Sequence, residues 1–230
     1  SMDPLEIERL IAEGKRYATG IRSVVAMDWN QEENELYVVQ HGRDDFTKSW
    51  PDLFGPWESA VLPSEEFFRV EEGTDGGWPY YYFDHIEGKK KLNPEYGGDG
   101  KLQGDAHLVA QPLMGFPGHF APNDLHFYKG DQFPERYKNG AFVGQHGSWN
   151  RSSKVGYQVV MLKIENQQVV SRETVVSFLD GEFPVARPYA LLSADDGAMY
   201  ISDDLKGNVY RLFFKGGDST EEPQELEENE

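Results

Sequence analysis

The chain has 230 residues, of which 38% are hydrophobic, 24 are Gly and 13 are Pro, and this balance favours an all-β protein with many turns. Its formal net charge of -18 argues against nucleic-acid binding, because phosphate groups require a positive surface. The absence of Cys excludes disulfides and thiolate metal sites, and no apolar run is long enough to span a membrane.

The chain begins with a segment, residues 1–16, that we predict to be an extension outside the main fold. Ser1–Met2 is typical of vector-derived residues. Residues 4–13 carry apolar side chains at helical spacing, which predicts a short helix with Asp3 as its N-cap and Gly14 as its stop.

Residues 17–215 form the main domain in this interpretation, because their apolar side chains alternate with period two. The predicted strands are Ser23–Asn30, Glu35–His41, Glu66–Val70, Pro122–Tyr128, Gly140–Gln145, Tyr157–Glu165, Val169–Phe178, Tyr189–Ser193, Ala198–Ser202 and Val209–Phe213. Asp44–Pro63 and Phe83–Gln103 show no clear period and are predicted to be long loops. The Glu-rich residues 216–230 are predicted to be a disordered tail.

Three parts of the domain share one order of features: an apolar strand, a polar turn, a second apolar strand and a polar loop. Repeated β-units of this kind are typical of propeller blades. The inner strands of a propeller end on a common face, so the loops His41–Asp45, His146–Arg151 and Ser202–Asp204 are predicted to meet there. A sandwich of β-meanders would show similar strands, and the pattern alone leaves that alternative open.

The motifs of the chain resemble those of the glucose/sorbosone dehydrogenase family, in the same order, from Tyr17 to Phe213. They are YATGIRSVVAMDWN, LYVVQHGRD, EEFFRVEEGTDGGWPY, NPEYGGDGK, APNDLHFYKGDQFPERYKNGAFVGQHGSWNR, GYQVV and RPYALLSADDGAMYISDD. Their joint order carries the resemblance, since no single motif is specific.

The resemblance implies a six-bladed β-propeller, of which this chain would supply about three blades. It also implies a soluble, periplasmic or secreted dehydrogenase that uses pyrroloquinoline quinone (PQQ) and Ca²⁺. Such enzymes oxidise a sugar hydroxyl or aldehyde and pass the electrons to an external acceptor. We expect the chain alone to lack half of the pocket, which leaves open whether it is an enzyme by itself.

Three arginines are predicted to bind the carboxylates of the quinone. The resemblance places Arg22, Arg151 and Arg187 at the cofactor, and a guanidinium group is a planar, permanently charged partner for a carboxylate. The chain departs from the family at Ser23, and at Tyr189, where a relative has a basic residue. Blade-end arginines that pair with nearby carboxylates are the alternative interpretation.

Three further residues are predicted to bind metal. The resemblance gives the backbone carbonyls of Gly42 and Arg43 to a cofactor-bound Ca²⁺, and Glu66 to a second, structural Ca²⁺; oxygen atoms are the ligands that calcium prefers. Arg43 stands where relatives have Pro, and Gly76 stands where they have Tyr. A positive charge next to Ca²⁺ is unfavourable unless the Arg43 side chain points away, and the second site lacks the Tyr that relatives provide.

No catalytic residue is assigned. In the family the catalytic histidine lies in the half without a counterpart here, and the loop residues His41, His119 and His146 are expected to be structural.

Two other functions remain open at this point. Trp57, Trp78, Trp149 and the tyrosines of Tyr80–Tyr82 could stack on sugar rings, which would suit a non-catalytic carbohydrate- or protein-binding module. The third possibility is a structural relic that serves only in assembly. An open propeller fragment exposes strand edges, so self-association into a homo-oligomer is also predicted.

Overall fold

The computed structural model describes residues 3–216, and the predicted acidic tail lies almost entirely outside them. The strands are β1 (Val24–Asn30), β2 (Glu35–Gln40), β3 (Glu65–Val70), β4 (Tyr81–Asp84), β5 (Lys89–Leu92), β6 (Met114–Phe116), β7 (Pro122–Phe127), β8 (Ala141–Gln145), β9 (Gln158–Glu165), β10 (Gln168–Ser177), β11 (Leu179–Asp180), β12 (Phe183–Pro184), β13 (Pro188–Ser193), β14 (Met199–Asp203) and β15 (Val209–Leu212). The helices are α1 (Pro4–Glu13), α2 (Phe46–Ser49) and α3 (Pro56–Val61), with single 3-10 turns at Pro94–Tyr96, Ala106–Leu108 and Glu135–Tyr137.

The predicted N-terminal helix is confirmed. Asp3 accepts a hydrogen bond from the backbone N–H of Leu5 at 3.0 Å, which satisfies one of the free donors of the first turn, and Gly14 follows the last helical residue. No helix within residues 3–216 is long and apolar enough to cross a membrane.

Three antiparallel sheets make up most of the chain. Their strand orders are β1-β2-β3-β6, β10-β9-β8-β7 and β13-β14-β15, and two short hairpins, β4-β5 and β11-β12, stand beside them. The first strands of the three sheets, β1, β7 and β13, are neighbours, since β7 contacts both β1 and β13. The all-β prediction is therefore confirmed, while the six-bladed closure stays a prediction.

Strands β8 and β9 of the middle sheet are buried on both faces, and the period of their side chains explains how. Along β8, Ala141 and Val143 pack against the first sheet, whereas Phe142 between them packs toward the third sheet. β9 divides its side chains in the same way. Successive side chains of a strand point to opposite faces, so a run of apolar residues fills two cores at once.

The prediction that Phe83–Gln103 is a long loop was wrong. Part of it forms the hairpin β4-β5, in which Asp84 pairs with Lys89 and Tyr82 with Lys91. Three consecutive lysines give no strand signal, but Lys90 and Lys91 are buried because each reaches a carboxylate. The other predicted loop, Asp44–Pro63, contains α2 and α3.

Candidate functional site

One edge of the three sheets carries the candidate site, and antiparallel pairing explains why. Val24 pairs with Gln40, Pro122 with Gln145, and Pro188 with Asp203. The residues just before each first strand therefore lie beside those just after each second strand. This geometry brings Arg22 next to His41 and Arg187 next to Asp204.

A cavity of about 340 Å³ opens at this edge. It is lined by His41, Gly42, Asp44, Glu65, His119, Ala121, Asn123, His146, Gly147, Trp149 and Arg187. The loops that follow β2 and β8 thus share one cavity, and Asp204 joins them through its hydrogen bonds to His146 at 2.9 and 3.0 Å. This arrangement agrees with the prediction that the three polar loops meet at one face of the domain.

Arg187 lies at the cavity wall and is only partly engaged. Its Nε donates to Asp204 Oδ1 at 2.6 Å, and its backbone N–H donates to Asp203 Oδ1 at 2.9 Å. Burial raises the pKa of Asp204, but hydrogen bonds from Arg187 and His146 outweigh this effect and lower it. The aspartate therefore orients both a guanidinium and an imidazole at the same opening.

Arg22 lies beside the loop that follows β2, which contains His41 and Gly42. Its Nη1 donates to the carbonyl oxygens of His41 at 3.3 Å and Gly42 at 3.0 Å, and the guanidinium lies 5.6 Å from the ring centroid of Trp78. Its backbone N–H donates to Gln40 Oε1 at 2.7 Å. The Arg22 guanidinium thus already donates a hydrogen bond to the Gly42 carbonyl, which the resemblance assigns to a calcium ion.

Arg151 lines a different cavity, next to the first. That second cavity, of about 820 Å³, includes Trp57, His119 and Trp149, the last two of which also line the first cavity. Burial lowers the pKa of Arg151. The structure therefore brings Arg22 to the loop His41–Gly42, Arg187 to the cavity that this loop lines, and Arg151 to the adjoining cavity.

The side chain of Arg43 points away from the cavity. Its Nη1 pairs with Glu95, and its guanidinium lies 4.7 Å from the Trp50 ring centroid and 5.6 Å from that of Phe46. The concern that this positive charge would repel a nearby cation is therefore removed. Its backbone carbonyl remains the predicted ligand.

Glu66 has a side-chain cation as its partner. Its Oε2 accepts a hydrogen bond from Lys90 Nζ at 3.0 Å, and its Oε1 accepts one from Gln40 Nε2 at 2.7 Å. Burial raises the pKa of Glu66, and the charge of Lys90 opposes that shift. Within residues 3–216, no group of three or more His, Asp or Glu side chains is arranged to hold a metal ion.

Glu65 is a site residue that the sequence reasoning missed. Its oxygens accept hydrogen bonds from the backbone N–H groups of Gly42 at 3.1 Å and His119 at 2.9 Å. Burial raises the pKa of Glu65 to about 7, although these hydrogen bonds favour its charged form. The sequence did hold a signal for this residue, namely two adjacent glutamates in an otherwise apolar strand. Because successive side chains of a strand point to opposite faces, each buried face of this strand receives one of the two glutamates.

His119 and Asp44 form a pair at the cavity wall. His119 Nδ1 lies 3.1 Å from Asp44 Oδ1, and its Nε2 lies 3.0 Å from the Ser59 carbonyl oxygen. The hydrogen bond from His119 lowers the pKa of Asp44. Burial would lower the pKa of His119, but Asp44 raises it overall. Nearby, His41 Nε2 is buried with no hydrogen-bond partner in the described residues, and burial lowers the pKa of this histidine.

Comparisons with known proteins agree with this architecture. An uncharacterised protein of Borreliella burgdorferi is 30% identical over 203 residues, covering 86% of this chain and 48% of that protein. The calcium structure of a family AA12 carbohydrate-active enzyme from Trichoderma reesei aligns with a TM-score of 0.67 at 19% identity, covering 89% of this chain and 57% of the other.

The holo form of the PQQ domain of a pyranose dehydrogenase from Coprinopsis cinerea aligns with a TM-score of 0.59 at 18% identity, covering 84% of this chain and 54% of that domain. The chain thus spans about half the length of the proteins it matches. Residues 102–213 match the model of the TrAA12-like family. The chain therefore carries a TrAA12-like region, and the resemblance to sugar dehydrogenases that its motifs predicted is confirmed.

Proposed function

We propose that this chain forms the cofactor-binding part of a quinone-dependent sugar oxidoreductase. The observation that carries the proposal is a pair of arginines: Arg22 donates to the carbonyl oxygen of Gly42, and Arg187 lines the cavity that His41 and Gly42 also line. Relatives of the same fold supply the expectation of a quinone, and the chemistry of this edge supplies the fit.

A quinone with several carboxylates suits the groups at this edge. Arg187 uses its Nε for Asp204, which leaves its two terminal nitrogens for a ligand. Among residues 3–216, the Arg22 guanidinium contacts two backbone carbonyls and the ring of Trp78. The buried Nε2 of His41 lacks a partner in the described residues and can meet a polar ligand atom. Arg151 would contribute from the adjoining cavity.

Calcium at the cofactor fits the donor type found here. The carbonyl oxygen of Gly42 already accepts a cationic donor, so this position attracts positive charge. We propose that Gly42 and Arg43 offer carbonyls to a cofactor-bound Ca²⁺ once Arg22 turns to a quinone carboxylate.

The reaction needs an electron acceptor and a proton acceptor. When bound, the quinone would supply the first by taking up the electrons removed from the sugar. His146 is suited to the second role, because its Nε2 is held by Asp204 and its Nδ1 is then the acceptor nitrogen. The electrons would pass to an external acceptor, and we place the protein in the periplasm or outside the cell.

A fluorescence titration tests the proposal, because Trp78 and Trp149 lie beside the site. We expect saturable quenching by PQQ, with binding weakened at least about tenfold by Arg187→Met, since a hydrogen bond to a charged group contributes about 1.5–3 kcal/mol. Arg211→Met is the matched control, because Arg211 pairs with Asp196 away from the cavity. Equal weakening by both variants would contradict the proposal.

A carbohydrate-binding module without catalysis is the second candidate. Trp57 and Trp149 are 62% and 75% exposed and both line the larger cavity, where their rings are free to stack on a sugar. Calorimetric titration with sugars in the absence of quinone separates the two functions. Binding that is lost in Trp149→Ala, with no quinone binding at all, would favour this second candidate.

We also propose self-association, here through exposed apolar side chains of the first and third sheets rather than through the strand edges that the sequence predicted. Val24 and Met27 of the first sheet are exposed, as are Leu192 and Val209 of the third. A second copy could cover these apolar side chains by placing its first sheet against the third sheet of its partner. Light scattering should show a dimer that Met27→Lys with Leu192→Lys converts to a monomer. A monomeric wild type at high concentration would contradict this.

A further inference from the structure

Lys90 presents a buried positive charge at the position that the sequence motifs assign to a metal ion. Its side chain is 1% exposed. Its Nζ donates to Glu66 Oε2 at 3.0 Å and to the carbonyl oxygen of Gly76, and it lies 5.0 Å from the ring centroid of Phe68. A carboxylate, a backbone carbonyl and an aromatic face therefore surround one ammonium group.

The first two of these groups are ligands of the kind that calcium takes. Lys90 already satisfies both, and it is fixed there by the strand β5 to which it belongs. An ion and an ammonium group cannot share this space, because each requires the same two oxygens. We propose that Lys90 is a tethered cation that replaces a structural calcium at Glu66, so that this part of the fold forms without a divalent metal.

A chain of hydrogen bonds links Lys90 to the candidate site. Glu66 Oε1 accepts from Gln40 Nε2 at 2.7 Å, and Gln40 Oε1 accepts from the backbone N–H of Arg22 at 2.7 Å. Lys90 thus fixes Glu66, which fixes Gln40, which fixes the backbone that carries Arg22. Lys90 is in this sense a positioning residue for the site, and this last step rests on the proposed function.

Thermal unfolding in calcium and in EDTA tests the metal replacement without any quinone, so its outcome does not depend on the proposed function. Four proteins are compared: wild type, Lys90→Met, the double variant Lys90→Met with Glu66→Gln, and Lys91→Met. Lys91→Met is the matched control, because it removes another buried ammonium, the partner of Asp84.

We expect the wild type to unfold at the same temperature in calcium and in EDTA. Lys90→Met leaves a buried carboxylate without its cation, so its Tm in EDTA should fall by about 6 °C or more. Calcium should restore part of that loss in Lys90→Met, but not in the double variant or in Lys91→Met.

Terbium supplies a second readout, because Trp78 lines the same pocket as Glu66 and Gly76 and can sensitise its emission. Emission should appear with Lys90→Met and stay absent with the double variant. The proposal is overturned if calcium stabilises the wild type and the double variant loses that stabilisation. This last comparison does not require Lys90→Met to fold.

Discussion

Glu65 and Glu66 are neighbours in β3, and both are buried, with exposures of 4% and 5%. They point to opposite faces of the strand and are compensated in different ways. Backbone N–H groups of two loops surround Glu65, whereas the ammonium of Lys90 and the amide of Gln40 surround Glu66. The comparison teaches that a buried acid can be held either by backbone donors or by a charged side chain, and that burial raises the pKa in both cases.

The largest loss of stability should come from removing Glu66, the buried acid that is held by a charged side chain. Glu66→Ala leaves Lys90 buried without its counter-charge, and removal of one partner of a buried pair costs about 3–5 kcal/mol. Urea unfolding measures the loss. Glu71→Ala is the control, because Glu71 pairs with Arg69 at the surface and should cost at most about 1 kcal/mol. A loss below about 1 kcal/mol in Glu66→Ala would show that the pair is not buried as described.

The stability that Glu65, the acid held by backbone donors, contributes to the fold should depend on pH. The folded-state pKa of Glu65, about 7, lies above the ordinary value of 4.5, so the unfolded chain releases this proton first as the pH rises. Stability contributed by protonated Glu65 is therefore present below about pH 4.5 and is lost as the pH rises through about 7. The total change is about 3 kcal/mol.

Glu65→Gln should remove this dependence, so the difference in unfolding free energy between wild type and variant is measured from pH 4.5 to pH 7.5. His119 contacts Glu65, and the charge of Glu65 contributes to its raised pKa, so the comparison is repeated in a His119→Asn background to isolate the Glu65 carboxyl group. Parallel pH profiles for the two proteins would contradict the assignment.

A smaller loss of stability is expected from replacing Gln40, which joins Glu66 to the backbone of Arg22. Gln40→Met removes a donor to Glu66 and an acceptor for the backbone N–H of Arg22, at a cost of about 1–3 kcal/mol. Hydrogen exchange at the Arg22 amide reports the second loss directly. Unchanged protection of that amide would show that Gln40 does not hold the Arg22 backbone.

The sequence predicted the strands that bury both faces, because apolar runs such as those of β8 and β9 have few other interpretations. It missed the hairpin β4-β5, since Lys90 becomes a buried residue only through Glu66, which lies 24 positions away. Such pairing is tertiary and leaves no local pattern.

The candidate site shows the same division. The positions of Arg22 and Arg187 follow from strand ends, which the periodicity revealed. The separate cavity of Arg151, and the engagement of the Gly42 carbonyl by Arg22, depend on loop conformations that no period encodes.

A crystal structure of the chain with PQQ tests the central claim most directly, namely that these sheets bring two arginines to one anionic ligand. The account predicts a quinone in the cavity of about 340 Å³, with one carboxylate within hydrogen-bond distance of Arg187, which lines the cavity, and another reaching Arg22 beside the adjoining Gly42 carbonyl. A quinone bound elsewhere on the chain, with both arginines still on their present partners, would contradict it.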